Sequence, residues 1–300
     1  MRLGEPSLDQ LRIFLTVVEE GSFGGAARKL GRAVSAISYG VQQMEAQLDV
    51  TLFDREGSRK PVLTEAGQGL LAEARAITDA SDALLAKTQS LHAGLESEVG
   101  LVLDVMVPGA VIAKVLEQFR AMFPTVSLRL NIEGLGAVAQ CLLEEESELG
   151  VAGPVVSDHP DLEKQAIGEI ELIPVAAPDH PLNAKDIPPG ESRKHLQIVL
   201  ADRSRLTEGR QFSVLSPLTW RLGDLGAKHI LLKQGVGWGN MPRHQVASDL
   251  ASGALVELDL PEKPGDRYTL SALWRRDTRP GPATSWLIDA IREALAECPD

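Results

Sequence analysis

One face of a helix predicted over residues 34–48 is polar and nearly uncharged. Apolar residues recur three and four positions apart along this segment, which places them in one narrow stripe. The opposite face carries Ser35, Ser38, Tyr39, Gln42 and Gln43. Hydroxyl and amide groups donate and accept hydrogen bonds at short range, as contacts to nucleic-acid base edges require. The face therefore suits base reading, although an ordinary polar surface helix gives the same pattern.

A basic cluster follows this helix. Residues 51–64 predict a small β-hairpin with a basic tip. Beside a reading helix, such a wing reaches phosphates in the neighbouring groove. The cations that we expect to hold phosphates are Arg32, Arg55, Arg59 and Lys60.

The net charge of the whole chain argues against nucleic-acid binding, but the charge is unevenly distributed along the sequence. The 300 residues carry 30 basic and 42 acidic side chains, a net charge of −12, whereas phosphate contacts need clustered Lys and Arg. Residues 1–90 hold 10 basic and 12 acidic side chains, and residues 26–60 hold six basic against four acidic. The acidity therefore lies mostly after residue 90. The thin basic rim predicts modest non-specific affinity and operator binding that depends on oligomeric avidity.

The sequence contains no recognisable catalytic or metal-binding motif. The six His residues form no HExxH, and neither GxSxG nor GxxxxGKS occurs. Cys141 and Cys298 form no CxxC pair, and we expect ordinary thiols rather than a redox sensor. We therefore predict no enzyme, no cofactor and no metal. An enzyme built on an α/β domain stays open as an alternative, because fold does not determine function.

Short helices are predicted to position the polar face. Ser7 caps a helix over residues 7–19, and Ser22 caps a second helix that ends at Gly31. The helix over residues 34–48 follows directly. Two helices with a glycine-containing joint, the second of them polar, are typical of a helix-turn-helix.

A long helix follows from about 65 to 92, capped by Thr64. Its apolar residues recur every seven positions, which is typical of a coiled-coil seam. Packing of the helix on its own domain is the alternative. The predicted dimerisation residues are Leu70, Ile77, Leu84 and Leu91.

From about residue 99, apolar strands alternate with helices. This order indicates right-handed βαβ units and a parallel sheet, with a second sub-domain beginning near 171. We expect strands at 126–133, 149–155, 197–202, 218–224, 235–242 and 268–277, and helices at 110–122, 135–147, 225–233, 243–252 and 284–296. No apolar run is long enough to span a membrane and no signal peptide is evident, so we expect a cytoplasmic protein.

Three segments in the first 92 residues resemble the LysR-type transcriptional regulators. They are LRIFLTVVEEGSFGGAARKLG, SAISYGVQQMEAQLDVTLFDR and LTEAG, in that order. The resemblance implies an N-terminal winged helix-turn-helix dominated by α-helix, then a linker and dimerisation helix. It also implies a C-terminal, two-lobed α/β effector-binding domain like the type 2 periplasmic binding proteins. The expected boundaries are 1–65, 66–93 and 94–300, with lobe 1 at about 99–163 and 268–300 and lobe 2 at about 164–267.

This sequence departs from the family pattern around the reading helix. Ala33-Val34 stands where Thr-Gln or Ser-Gln is common, and Tyr39-Gly40 stands where Arg-Gln is common. The base contacts of those Gln and Arg side chains therefore do not carry over. Arg32, Ser35, Ser38, Tyr39 and Gln42 remain as candidates, and we expect Gly40 to allow close approach to the DNA backbone.

The resemblance places an effector between the two lobes, at the carboxyl ends of strands. The strand ends assign Val107, Pro108, Gly109, Ala110, Leu135, Gly136, Asp202, Ser204, Gly237, Trp238 and Asn240 to this site. Many relatives have Ser or Thr at the first of these strand ends to hold a carboxylate. This chain lacks those hydroxyls, which argues against a carboxylate there, although backbone N–H groups at the helix start suit an anion. Trp238 is either an aromatic wall of the site or an indole packed in the core.

The expected function is therefore transcriptional regulation. The protein would bind double-stranded promoter DNA as a homodimer, or as a homotetramer if the family pattern holds. A small-molecule effector would control it, and an activator would also contact RNA polymerase. No membrane partner is expected. A solute-binding protein is a third hypothesis, but it would need export and would leave residues 1–92 without a purpose.

Overall fold

The structure is a computed structural model that describes residues 4–54, 60–92, 94–155, 158–210, 212–262 and 266–298. The chain divides into two compact units, Met1–Gln89 and Ser90–Asp300. Within the described ranges, no helix is both long enough and apolar enough to cross a membrane.

The first unit consists of helices and a short hairpin. Its elements are α1 (Leu8–Glu20), α2 (Phe23–Leu30), α3 (Val34–Leu48), β1 (Phe53–Asp54), β2 (Val62–Leu63) and α4 (Glu65–His92). The predicted caps are confirmed, since Ser7 Oγ accepts from the Gln10 N–H and Ser22 Oγ accepts from the Gly25 N–H. Gly31 ends α2 in the left-handed conformation, also as predicted.

Aromatic side chains hold the helices and the hairpin of this unit together. The Phe53 ring on β1 lies 5.6 Å from the Phe14 ring and 5.7 Å from the Phe23 ring, both in edge-on geometry. Ile37, Val41 and Met44 bury the inner face of α3 against this core. α3 is thereby held with its polar face outward.

The second unit is built on one large sheet. Its described strands are β3 (Glu98–Asp104), β4 (Ser127–Glu133), β5 (Leu149–Ala152), β6 (Leu162–Ala176), β7 (Gln197–Leu200), β8 (Thr219–Leu222), β9 (Trp238–Pro242), β10 (Val256–Glu257) and β11 (Asp266–Arg275). The order across the sheet is β4-β3-β5-β11-β6-β9-β7-β8, and β10 pairs with β6. The helices are α5 (Gly109–Met122), α6 (Ala137–Leu143), α7 (Leu225–Lys233), α8 (Arg243–Ser252) and α9 (Pro282–Glu297).

The sheet is parallel at its two ends and antiparallel in the middle. β3 runs parallel to β4 and β5, and β7 runs parallel to β8 and β9. β11 is antiparallel to β5 and β6, and β6 is antiparallel to β9. The expectation of a parallel sheet was therefore wrong for the centre. The long strands β6 and β11 join two βαβ halves, which are the two lobes of the domain.

Candidate nucleic-acid interface and ligand cavity

The outer face of α3 presents the polar side chains expected to read bases. Ser35, Tyr39 and Gln42 are exposed, and Ser38 is half-buried. The buried residues on the opposite face fix the rotation of the helix, so these side chains are held towards solvent by packing.

Gly40 is buried in the first unit and does not face a DNA backbone. A Cβ placed on it would lie 2.7 Å from Cδ1 of the buried Ile13 on α1. The glycine therefore allows α1 and α3 to approach closely. The expectation that Gly40 serves DNA approach was wrong, because its side of the helix is the core side.

The cations expected to hold phosphates have different surroundings. Arg32 Nη1 donates to Asp9 Oδ2 at 2.7 Å, and this hydrogen bond lowers the pKa of Asp9. Lys60 is exposed beside β2. Arg55 and Arg59 lie outside the described residues. An acidic side chain therefore already neutralises part of the Arg32 charge.

The long helix α4 packs on the first unit near its start and is exposed further along. The Gly67 N–H donates to Thr64 Oγ1 at 3.0 Å, which confirms the predicted cap. Leu70 packs against the helical core of the unit. Ile77, Leu84 and Leu91 are 50%, 67% and 52% exposed. The apolar stripe therefore continues beyond the part that its own domain uses.

A cavity of about 270 Å³ opens between the two halves of the large sheet, and we call it the interlobe cavity. Its residues come from both lobes, and most of them are apolar. It is lined by Met106, Leu135, Pro154, Val155, Leu172, Gln197, Ile198, Val199, Leu200, Phe212, Ser213, Lys228, Asn240, Asp266, Arg267 and Tyr268. Of the residues assigned to the effector site from the sequence, Leu135 and Asn240 line it.

A buried ammonium group lies in the wall of the interlobe cavity. Lys228 on α7 is 4% exposed, and its Nζ donates to the backbone carbonyl oxygen of Asn240 at 2.7 Å. Burial lowers the pKa of Lys228 to about 8. Glycine at 239 leaves room for the lysine, since a Cβ there would be 3.1 Å from Lys228 Cε.

The opposite lobe contributes a buried tyrosine–carboxyl pair. The Tyr268 hydroxyl donates to Asp104 Oδ2 at 2.8 Å, and the Met106 N–H donates to Asp104 Oδ1 at 2.9 Å. Burial is the main reason that the pKa of Asp104 is raised to about 6. Gly153 is required beside this pair, because a Cβ there would overlap the Tyr268 ring.

Asp202 and Ser204 hold loops together instead of lining the interlobe cavity. Asp202 accepts from the Gly136 N–H at 3.0 Å and from the Ser204 N–H at 2.8 Å, and it also bonds the Thr207 hydroxyl. The Ser204 hydroxyl accepts from the Leu206 N–H. These side-chain groups are engaged in local structure.

Trp238 is fully buried and is not a wall of the interlobe cavity. It packs with Leu182, Leu258 and Leu260. Gly237 precedes it at a point where a Cβ would be 2.5 Å from the Leu196 carbonyl oxygen. Of the two interpretations open for Trp238, the structure agrees with the core indole.

The segment at the end of the first strand, residues 107–110, lies outside the interlobe cavity. Val107, Pro108, Gly109 and Ala110 line an open depression of about 700 Å³ together with His244 and neighbours on α8. This depression and the interlobe cavity share no lining residue. The sequence assignment thus combined residues from separate places.

Comparison with known proteins decides the family. Residues 8–68 match the model described as bacterial regulatory helix-turn-helix protein, lysR family, and residues 92–296 match the LysR substrate binding domain. The chain is 30% identical over 298 residues to the probable HTH-type transcriptional regulator YhaJ of Escherichia coli K12, covering 95% of each chain. It is 29% identical to the HTH-type transcriptional activator AllS of Klebsiella pneumoniae, covering 83% of this chain and 93% of AllS.

This chain belongs to the LysR family of transcriptional regulators. It is a DNA-binding regulator with a substrate-binding domain, and the family is not one of enzymes. The resemblance noted from the sequence is confirmed.

Solved LysR-type structures share the fold. A Corynebacterium glutamicum OxyR C206 mutant superposes with a TM-score of 0.54 at 20% identity, covering 97% of this chain and 95% of that one. The regulatory domain of MetR from N. meningitidis gives 0.56 at 20% identity, covering 67% and 96%. The expected architecture, a helix-turn-helix followed by a two-lobed α/β domain, is confirmed.

The polar groups of the interlobe cavity in this LysR-family regulator were not predicted from the sequence. Lys228 had a visible signal, because it occupies a position on α7 whose other buried residues are Leu225 and Leu232. A lysine on the apolar stripe of a helix marks either a long side chain reaching solvent or a buried charge. Asp104 and Tyr268 had no such signal, since they are 164 positions apart.

The thiols of this LysR-family chain were expected to be ordinary. Cys141 and Cys298 are free and partly buried. Burial and the nearby Glu146 raise the pKa of the Cys141 thiol to about 11. Since the thiolate is the reactive form, this environment disfavours a redox role for Cys141. Among the residues that the structure describes, no group of His, Cys, Asp and Glu is arranged to hold a metal ion.

Proposed function

We propose that this regulator reads its operator with the outer face of α3. One observation carries the proposal: Ser35, Tyr39 and Gln42 are exposed on a helix whose other face is locked in the core. Hydroxyl and amide groups in that position can pair with base edges in the major groove. Ser38 at the edge of the face completes the set.

Phosphate contacts would position this helix, with Arg32, Arg55, Arg59 and Lys60 as the proposed cations. Few cations imply weak binding by a single domain. A homodimer through Ile77, Leu84 and Leu91 of α4, or a homotetramer built from such dimers, would bind several half-sites at once. Linked sites raise apparent affinity without any new contact. The exposed stripe on α4 supports this assembly.

The ligand part of the proposal places a small-molecule effector in the interlobe cavity. A mainly apolar cavity with a few convergent polar groups is typical of ligand sites. Because both lobes contribute to its wall, a ligand that prefers one lobe arrangement would shift the equilibrium between arrangements. DNA and effector binding would then be thermodynamically linked. An activator would also contact RNA polymerase, and a protein that binds promoter DNA would work in the cytoplasm.

Substitution on α3 tests the reading face. DNA fragments are first selected from a random pool by the wild-type protein, and their affinities are then measured by fluorescence anisotropy. Gln42→Ala should weaken the selected fragments by about 5- to 150-fold, which corresponds to the roughly 1–3 kcal/mol of one base contact. Binding to unselected DNA should change little.

Gln89→Ala is the matched control, because it makes the same change at an exposed position on α4. It should bind the selected fragments as the wild type does. If Gln42→Ala also retained wild-type affinity and preference, together with Ser35→Ala and Tyr39→Phe, α3 would not be the reading element.

A further inference from the structure

We propose that the interlobe cavity binds a small organic anion, a carboxylate on a largely apolar body, and that the Lys228 ammonium group holds its negative charge. This inference rests on the proposed role of the cavity as the effector site. It adds the chemical class of the effector and the residue that selects it.

Lys228 is a buried cation without a counter-charge among the described residues. Its Nζ makes one hydrogen bond, to the neutral carbonyl of Asn240 at 2.7 Å. Desolvation alone lowers its pKa, and no carboxylate contributes to the change. An ammonium group has three donors, so two remain for a ligand.

Burial of this charge is unfavourable for the ligand-free fold. An unpaired ammonium group in a protein interior costs several kcal/mol, and buried lysines are normally paired or neutral. Met or Leu would fill the same position on α7 without that cost. A carboxylate in the cavity would provide the missing counter-charge and hydrogen-bond acceptors, and a charge-assisted bond of this kind is among the stronger ones.

The remaining wall fits an apolar body better than a second charge. Ile198, Val199 and Phe212 come from the same lobe as Lys228. On the opposite lobe, the Tyr268 hydroxyl proton is already committed to Asp104, so its oxygen can only accept a hydrogen bond. An anion is therefore directed to the Lys228 side.

Two charged residues at the cavity do not provide an equivalent anchor. The Arg267 side chain is 84% exposed and pairs with Glu169 at 2.9 Å. Water and that carboxylate screen its charge. Asp266 also lines the cavity and is negative, which repels an anion from its part of the wall. Lys228 is distinguished from both by being a cation that burial keeps out of water.

The position of Lys228 also explains how an anion binds although the first strand end lacks the Ser or Thr hydroxyls of many relatives. The strand end at Val107–Ala110 carries no Ser or Thr and lies outside the interlobe cavity. Lys228 reaches the cavity from α7, in the other half of the sheet. The charge of the effector would thus be recognised by the lobe that contains α7.

The experiment compares carboxylates with their uncharged amides on the full-length protein. The probes are benzoate and benzamide, phenylacetate and phenylacetamide, salicylate and salicylamide, and hexanoate and hexanamide. Thermal unfolding is followed by tryptophan fluorescence, which reports only the second unit because all four tryptophans lie there. At equal concentration, carboxylates should raise Tm, and titration should give at least about tenfold tighter binding than the matched amides.

Lys228→Met should lose this preference, while Lys185→Met should keep it. Lys185 is exposed in a loop of the same unit, so its replacement removes the same charge without changing the cavity. The proposal is overturned if amides bind as well as carboxylates, if Lys228→Met keeps the preference, or if no carboxylate of the set stabilises the wild type.

A cavity-filling variant shows whether a negative result contradicts the proposal that the ligand is an anion or the proposal that the interlobe cavity is the effector site. If carboxylates and amides stabilise the wild type equally and Val199→Phe abolishes both effects, the cavity binds ligands but does not select anions. If the stabilisation survives Val199→Phe, the ligands bind elsewhere and the proposed role of the cavity fails as well. The ligand-free Tm of Val199→Phe establishes that this variant is folded.

Discussion

Replacing Lys228 with Met should stabilise the ligand-free second unit. The pKa of Lys228 falls from its ordinary 10.5 to about 8 on burial. That difference of about 2.5 pH units, at 1.36 kcal/mol for each unit, means that the charged lysine costs about 3 kcal/mol. The Asn240 carbonyl would lose its hydrogen bond at a cost of about 1 kcal/mol, so the expected net gain is about 2 kcal/mol.

The gain should depend on pH in a defined direction. Between about pH 8 and 10.5 the unfolded chain keeps the lysine proton and the folded chain releases it. Wild-type stability from this group therefore rises with pH across that window. The advantage of Lys228→Met should be full below pH 8 and should disappear near pH 10.5. Asp266, Arg267 and Tyr268 line the same cavity and are present in both proteins.

Thermal unfolding followed by tryptophan fluorescence measures this effect. For a unit of this size, about 2 kcal/mol corresponds to roughly 4–8 °C in Tm at pH 7. Lys185→Met, which removes an exposed charge, should shift Tm by less than about 2 °C. A lower Tm for Lys228→Met at pH 7 would show that the ammonium group supports the fold. A difference in Tm that stays constant between pH 7 and 10 would show that folding does not lower the pKa of Lys228. Either result would refute the reasoning.

Three further predictions concern other parts of the chain. Gly67→Ala should destabilise the first unit by about 1–3 kcal/mol in circular-dichroism melts, because a Cβ there would lie 2.3 Å from the Leu52 carbonyl oxygen. Gly69→Ala is the control: the space around Gly69 is open, so this change should be stabilising. As the pH falls from about 6 towards 4, the wild type should gain stability relative to Asp104→Asn, because the raised pKa of Asp104 favours proton uptake by the folded state. A difference in Tm between the two proteins that stays constant over this pH range would contradict this. Leu84→Glu should dissociate the oligomer in sedimentation velocity, because Leu84 lies on the exposed apolar stripe of α4. Ala83→Glu, on another side of α4, should not. If Leu84→Glu sedimented with the same mass as the wild type, the stripe would not be the dimer seam.

Local features of the first unit were predictable because they depend on neighbours in sequence. Capping by Ser7, Ser22 and Thr64 needs only a hydroxyl three residues before a free N–H group. The helix boundaries and the outward polar face of α3 follow from apolar periodicity in the same way. Gly40 was misread because its partner, Ile13, lies on a different helix.

The centre of the large sheet was less predictable. β6 extends over Leu162–Ala176, whereas the sequence predicted only that a second sub-domain begins near 171. The first part of β6 alternates buried and exposed residues and carries many charges, so it lacks the apolar run of a buried strand. Its antiparallel pairing with β11 joins segments about 100 residues apart. Hydrophobic patterns carry no information about such partners.

The sequence alone was sufficient to predict the family, the helices of the first unit and the outward polar face of α3. These features depend on the spacing of residue types along one chain segment. Only the tertiary structure decided which residues surround the interlobe cavity, and it placed Lys228 in that wall while burying Trp238 elsewhere. The reason is physical: the burial of a charge, and the cavity it faces, are set by elements brought together from distant parts of the chain.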